Sequence, residues 1–120
     1  MTKESLQSSV IVNHNEGVTS LLLNQKNRLN ALSADMIERL ILGLEEAVSI
    51  NANLVIFRGE GSSFSAGLDL SNIDKQSDAD LLHRFVRIEQ LLQIIYKLPI
   101  STLALVHGKC FGAAADIVSV

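Results

Sequence analysis

Two short glycine-containing loops, each leaving a hydrophobic run, hold the residues whose types and spacing suit chemistry. Phe64-Ser65-Ala66-Gly67-Leu68-Asp69-Leu70 follows Leu54-Val55-Ile56-Phe57. His107-Gly108-Lys109-Cys110-Phe111-Gly112-Ala113-Ala114-Ala115-Asp116 follows Leu103-Ala104-Leu105-Val106. Small residues let a ligand approach the main chain, whose peptide N–H groups then act as hydrogen-bond donors. Two donors from separate loops, converging on one oxygen, stabilise the negative charge that the oxygen gains during reaction. This pattern points to an oxyanion hole and to acyl chemistry. Taken singly, Gly67 and Gly112 also fit the usual role of isolated glycines, which is to permit turns or close packing.

Other reactive side chains carry less. Cys110 has no histidine placed by sequence to activate it and reads as a small packing residue. His107 enters a loop, where a histidine is more often structural than a base. His14 and His83 lack metal-ligand spacing, so no metal site is expected. Asp69 suits a loop-organising or N-cap role, because aspartate side chains readily bond nearby backbone.

The elements that must position these loops follow from periodicity. Ser9 to Asn13 and Val18 to Leu23, separated by Asn13-His14-Asn15-Glu16-Gly17, predict an antiparallel hairpin. Asn24 to Asn30 is turn-rich and reads as a loop. Ser33 is a candidate N-cap for a helix to about Ser49, with Met36, Ile37, Leu40, Ile41, Leu44 and Val48 on its apolar face. Leu54 to Arg58 is a buried-type strand. Ser71 to Asp80 is polar and predicts a mobile or briefly helical segment. A second helix spans about Asp80 to Lys97, with Leu81, Leu82, Phe85, Ile88, Leu92 and Ile95 as its stripe and Tyr96 packing beside it. Pro99 stops that helix. A strand from Ser101 to Val106 and a helix starting near Gly112 or Ala113 complete the order β–β–α–β–α–β–α. The chain reads as one α/β layered domain over residues 1–120.

Composition narrows the function classes. A 48% hydrophobic share argues for a packed core and against disorder. A net charge of −3 with no basic run argues against nucleic acid. One cysteine excludes an internal disulfide and fits a reducing compartment. The polar first ten residues lack a signal-peptide stretch, and His107, Lys109 and Asp116 interrupt the most apolar region, so no membrane span is expected. A cytoplasmic protein is the expectation.

With those residues in place, the sequence resembles the crotonase family, the enoyl-CoA hydratase/isomerase superfamily. Arg28-Leu29-Asn30-Ala31-Leu32 resembles its Asn-Ala-Leu signature, Phe64 through Leu70 its first oxyanion loop, and Pro99 through Asp116 the strand, loop and helix start of its second. The resemblance implies the N-terminal portion of a ClpP/crotonase-like fold, a layered β-β-α spiral. The family's second catalytic glutamate and its trimer-building C-terminal helices lie beyond the point corresponding to Val120. The 120-residue chain alone is therefore expected to be poorly active.

The resemblance also implies a chemistry. The substrate is an acyl-CoA thioester, coenzyme A being part of it, and no separate cofactor is needed. The backbone N–H groups of Leu68 and Ala113 would hold the thioester oxygen of an enolate. Asp116 matches a position where hydratases of the family carry a catalytic glutamate, and would position water or exchange a proton. The change from Glu to Asp leaves room for another reaction of the same enolate, and dienoyl-CoA isomerases resemble this arrangement in using aspartate chemistry. Ala66 resembles a position whose backbone contacts coenzyme A, with Gly67 and Gly112 shaping the same loops. Lys26 and Arg28 would meet coenzyme A phosphates or remain solvated loop charges. The implied activity is enoyl-CoA hydration, with enoyl- or dienoyl-CoA isomerisation and a non-catalytic acyl-CoA-binding or assembly subunit as alternatives. The implied assembly is a homotrimer or a dimer of trimers.

Overall fold

A computed structural model describes residues 8–69 and 77–120 of the chain. Strands β1 (Val10–Asn15) and β2 (Val18–Leu23) form the antiparallel hairpin, closed by a two-residue turn at Glu16-Gly17 with positive φ at both. The first strand therefore runs two residues beyond the predicted Asn13, since so tight a turn leaves His14 and Asn15 free to pair. β3 (Leu54–Gly59) and β4 (Ser101–Ala104) extend the sheet in the order β1-β2-β3-β4, with β2–β3 and β3–β4 parallel. Parallel neighbours need a long crossover, and helices α1 (Ala34–Ser49) and α2 (Asp78–Lys97) supply the two required. Helix α3 (Ala113–Ser119) follows β4.

Local chemistry sets these boundaries. Ser33 caps α1 by accepting from the Met36 N–H at 3.1 Å, and Ser77 caps α2 by accepting from Asp80 N–H at the same distance. The second helix thus begins at Asp78, slightly before the sequence expectation; most of the polar segment Ser71 to Asp80 lies outside the described residues. Within Asn24 to Asn30 the chain makes one 3-10 turn, Lys26–Arg28. β4 ends at Ala104 rather than Val106, although Leu105 N–H still reaches Phe57 O at 2.9 Å. Beyond it the chain bends toward Ser62 and Ser63.

The core lies between the sheet and α1. Alternation along β2 turns Thr19, Leu21 and Leu23 inward, and Val55 and Phe57 do the same on β3. They meet Met36, Ile37, Leu40, Ile41, Leu44 and Ala47 of α1. Burying each large aliphatic side chain contributes roughly 1.5–3 kcal/mol. The inward face of α1 continues through Ala47, so Val48 is exposed, contrary to the predicted stripe.

Helix α2 packs on α1, and α3 packs on α2. Only the C-terminal half of α2 is well covered, by Ile88, Leu91 and Ile95. Leu82 and Phe85, predicted to be buried, are 63% and 50% exposed, because at about 100° per residue they lie off the face that Ile88, Leu91 and Ile95 bury. Tyr96 is exposed as well and does not pack. No described helix is long and apolar enough to cross a membrane.

Candidate functional site

Because β2, β3 and β4 run parallel, the loops that follow them leave at the same end of the sheet. They pair side by side there as a second small ladder. Leu32 bridges Leu68, and Ser65 bridges Cys110, both in parallel sense. Carboxyl ends of parallel strands are where open α/β sheets place ligands.

Asn30 holds the first two loops together. It is fully buried with φ of 53°, a left-handed conformation that asparagine tolerates better than most residues. Its Nδ2 donates to Glu60 O and Ser63 O, both at 2.9 Å, and its Oδ1 accepts from Gln25 N–H at 2.8 Å. Ser65, also buried, donates its hydroxyl to Asn30 O at 2.6 Å and accepts from Gly67 N–H at 3.1 Å. The sequence marked Asn30 only as part of a signature and Ser65 only as a loop residue. A buried polar side chain that satisfies three backbone groups cannot be recognised before the partner loops are known.

In the loop 65–69 almost every N–H is consumed internally. Ser65 donates to Lys109 O, Ala66 to Leu29 O, Gly67 to the Ser65 hydroxyl and Asp69 to Leu32 O. The exception is Leu68, whose N–H has no acceptor among the described residues. Its orientation is nevertheless fixed. Gly67 O accepts from Leu32 N–H at 2.7 Å, and a trans planar peptide directs the next N–H away from that carbonyl. Ala113 repeats the pattern. Its N–H has no acceptor among the described residues, while Gly112 O accepts from Asp116 N–H at 3.2 Å.

The two loops touch at their glycines. A Cβ on Gly67, which sits at φ of 92°, would lie 2.7 Å from Phe111 O and 3.8 Å from Gly112 Cα. Gly112 differs: its φ of 55° and ψ of −124° demand glycine, yet an added Cβ would meet nothing within 4 Å.

The remaining candidates distribute around this ladder. Asp116 is exposed in the first turn of α3, and its carboxylate makes no hydrogen bond or ion pair among the described residues. Lys26 is exposed on the 3-10 turn. The guanidinium of Arg28 lies 2.9 Å from the Asp69 carboxylate, so it is engaged within the protein and organises the first loop together with Asp69. The carbonyl of Ala66 accepts no hydrogen bond among the described residues, whereas its N–H is used. His107 Nε2 donates to Gly61 O at 2.7 Å, a structural tie. Burial raises the Cys110 thiol above its ordinary pKa, the opposite of what a nucleophile needs. Among the described residues no group of side chains could hold a metal ion.

One residue near the site gave no signal in the sequence. Arg84, on α2, donates through Nη1 to Asp69 O. It also lines the open cavity of about 790 Å³ between α1 and α2, with Ala34, Ile37, Glu38, His83 and Arg87 among its neighbours there. Across the cavity Arg87 grips Glu38 through two bonds of 2.7 Å and holds its carboxyl below the usual glutamate range. As one arginine on an amphipathic helix, Arg84 looked like any solvated charge.

Residues 13–120 match the family described as Enoyl-CoA hydratase/isomerase. The chain belongs to that family. A crystal structure from Bordetella parapertussis, assigned to enoyl-CoA hydratase/isomerase, superposes with a TM-score of 0.89 at 40% identity, covering 91% of this chain and 46% of the other. The enoyl-CoA hydratase domain-containing protein 3 of Danio rerio is 30% identical over 105 residues, which is 86% of this chain and 36% of that protein. The Delta(3,5)-Delta(2,4)-dienoyl-CoA isomerase of Dictyostelium discoideum is 29% identical over 114 residues, 85% of this chain and 39% of that one. The chain thus spans about two fifths of the length of the curated relatives it matches. Over the part spanned, the α/β layered fold expected from the sequence is the crotonase fold of these enoyl-CoA hydratases and isomerases.

Proposed function

We propose that this chain binds an acyl-CoA thioester with the carbonyl oxygen held between the N–H groups of Leu68 and Ala113, and that the reaction served is the reversible hydration of a 2-enoyl-CoA. One observation carries the reading. Among the described residues Leu68 N–H is the one amide of its loop without an acceptor, Ala113 N–H is one of several in the second loop without one, and each of the two follows a glycine whose carbonyl is anchored on the opposite side. Donors oriented beforehand need no reorganisation when charge develops on the oxygen, and one such donor is worth roughly 10²–10³ in turnover.

The other residues take roles around that oxygen. Asp116, whose exposed carboxylate has no partner among the described residues, handles water or a proton. The carbonyl of Ala66 and the ammonium of Lys26 meet the coenzyme A portion, Lys26 as a point charge for phosphate. Arg28 acts on the loop rather than on phosphate, because Asp69 occupies its guanidinium. No cofactor beyond the coenzyme A of the substrate is required. The working assembly is a homotrimer or a dimer of trimers, in the cytoplasm. Double-bond isomerisation remains a second reading, supported by the aspartate at 116 and by the isomerase among the relatives.

The direct test deletes one donor. Residue 113 is the first of its helix, where proline is tolerated because that N–H has no intrahelical partner. Ala113→Pro is expected to retain coenzyme A binding and to lower turnover of a 2-enoyl-CoA about 100-fold or more. Unchanged turnover overturns the assignment. Incorporation of labelled water into product marks hydration; a shifted double bond without incorporation marks isomerisation.

A further inference from the structure

We infer that Arg84 is a positioning residue for the loop that carries the Leu68 donor, tying helix α2 to the Asp69 carbonyl at the end of that loop; this rests on the reading of Leu68 given above. Asp69 is held at each of its polar groups. Its N–H donates to Leu32 O at 3.0 Å, its carboxylate pairs with Arg28 at 2.9 Å, and its carbonyl receives Arg84 Nη1. The first two contacts come from the segment that follows β2. Of these three, the third comes from the helical layer.

What α2 itself lacks strengthens the assignment. Its first three turns bury no side chain, and its buried residues begin at Ile88. This half of the helix is fastened by arginines instead: Arg84 to Asp69, and Arg87 to Glu38. The two are not equivalent. Arg87 has a carboxylate for its charge, while Arg84 has no carboxylate within ion-pair distance among the described residues and spends its hydrogen bond on a main-chain carbonyl. A guanidinium donating to a neutral carbonyl fixes a peptide plane. The carbonyl in question, Asp69 O, lies two peptides beyond the one that bears the Leu68 N–H, and the peptide between them is pinned by Asp69 N–H to Leu32 O. Arg84 also forms part of the wall of the α1/α2 cavity.

Two measurements on the whole chain test this. The first is amide hydrogen exchange without ligand: Arg84→Ala is expected to speed exchange at Asp69 N–H about tenfold, while amides of the sheet core keep their protection. Equal rates in wild type and variant overturn the inference, whether or not Leu68 is a donor. The second is the infrared carbonyl stretch of a butyryl-CoA labelled with carbon-13 at the thioester. Binding to the wild type is expected to lower its frequency, and Arg84→Ala to reduce that shift. Arg84→Gln, which keeps an N–H donor without the charge, is expected to recover part of it. A wild-type shift matched by Arg84→Ala overturns the role of Arg84 alone. Absence of any shift in the wild type overturns the donor reading and this inference with it.

Discussion

The two glycine loops reach a similar end by different means. The first, residues 65–69, is half-buried to buried and fixed by partners far away in sequence: Leu29, Asn30 and Leu32 from one side, Lys109 from another, Arg84 from the helical layer. The second, residues 110–116, is exposed at Phe111, Gly112 and Asp116, and is shaped by a local event, the start of α3. Its backbone support comes from the first loop, through Phe111 N–H to Ser65 O at 3.3 Å and the close approach of Gly67, while Ala114 and Ile117 seat α3 in the core. The difference is one of dependence. The first loop stands on the body of the fold, and the second leans on the first.

If that dependence is real, the largest effect should come from Asn30. Asn30→Ala strands Gln25 N–H, Glu60 O and Ser63 O and forces alanine into a left-handed conformation. A loss of about 3–4 kcal/mol is expected in urea unfolding, given that each stranded group costs roughly 1–3 kcal/mol and such costs are not additive. A loss below about 1 kcal/mol would show that water replaces these bonds and that the first loop is not deeply anchored.

The two glycines give the next, smaller contrast. Gly67→Ala meets both an unfavourable φ and a backbone oxygen at 2.7 Å, so the loops must part. Gly112→Ala meets the conformational penalty alone. Expected losses are about 2–4 kcal/mol for the former and about 1–3 kcal/mol for the latter. More telling is where the damage spreads. Gly67→Ala should raise amide exchange in both loops, Gly112→Ala in the second only, and the reverse pattern would invert the comparison.

The sequence made the second loop more legible than the first. A glycine before an alanine run is a local signal for a helix start, and α3 begins at Ala113 as expected. The capped start of α1 and the hairpin were equally local, and both are present. The first loop depends on contacts between residues separated by 30 or more positions, such as Asn30 with Ser63 and Arg28 with Asp69, which no window of sequence reports. The same reason explains Leu82 and Phe85. Helical periodicity says that a face is apolar, but not which of its residues another element will cover. The resemblance pointed to the loops and to Leu68 and Ala113, without showing that those two N–H groups find no acceptor among the described residues.

Cys110 reports on the second loop through pH. Burial disfavours its thiolate, so the folded pKa is raised above the value of about 8.5 in the unfolded chain. The corresponding stability is fully present below that pH and is lost as pH rises through the folded value. Alkylation by iodoacetamide, which requires the thiolate, should therefore inflect at higher pH in the folded chain than in the urea-unfolded one. Matching inflections would mean that the second loop opens far more than its contacts with Ser65 imply.

The smallest effect on stability belongs to Asp116, and its smallness is informative. The backbone N–H of this residue anchors Gly112 O, whereas its carboxylate has no partner among the described residues. Asp116→Asn preserves the backbone bond and removes only the charge, so unfolding should change by no more than about 0.5 kcal/mol, the range of an exposed surface substitution. If the carboxylate moves a proton or positions water, turnover should fall about 100-fold over the same substitution. A stable but inactive variant would place the chemistry on the exposed loop and the architecture on the buried one. A destabilised variant would instead show that the side chain braces α3, and the second loop would then have an anchor of its own.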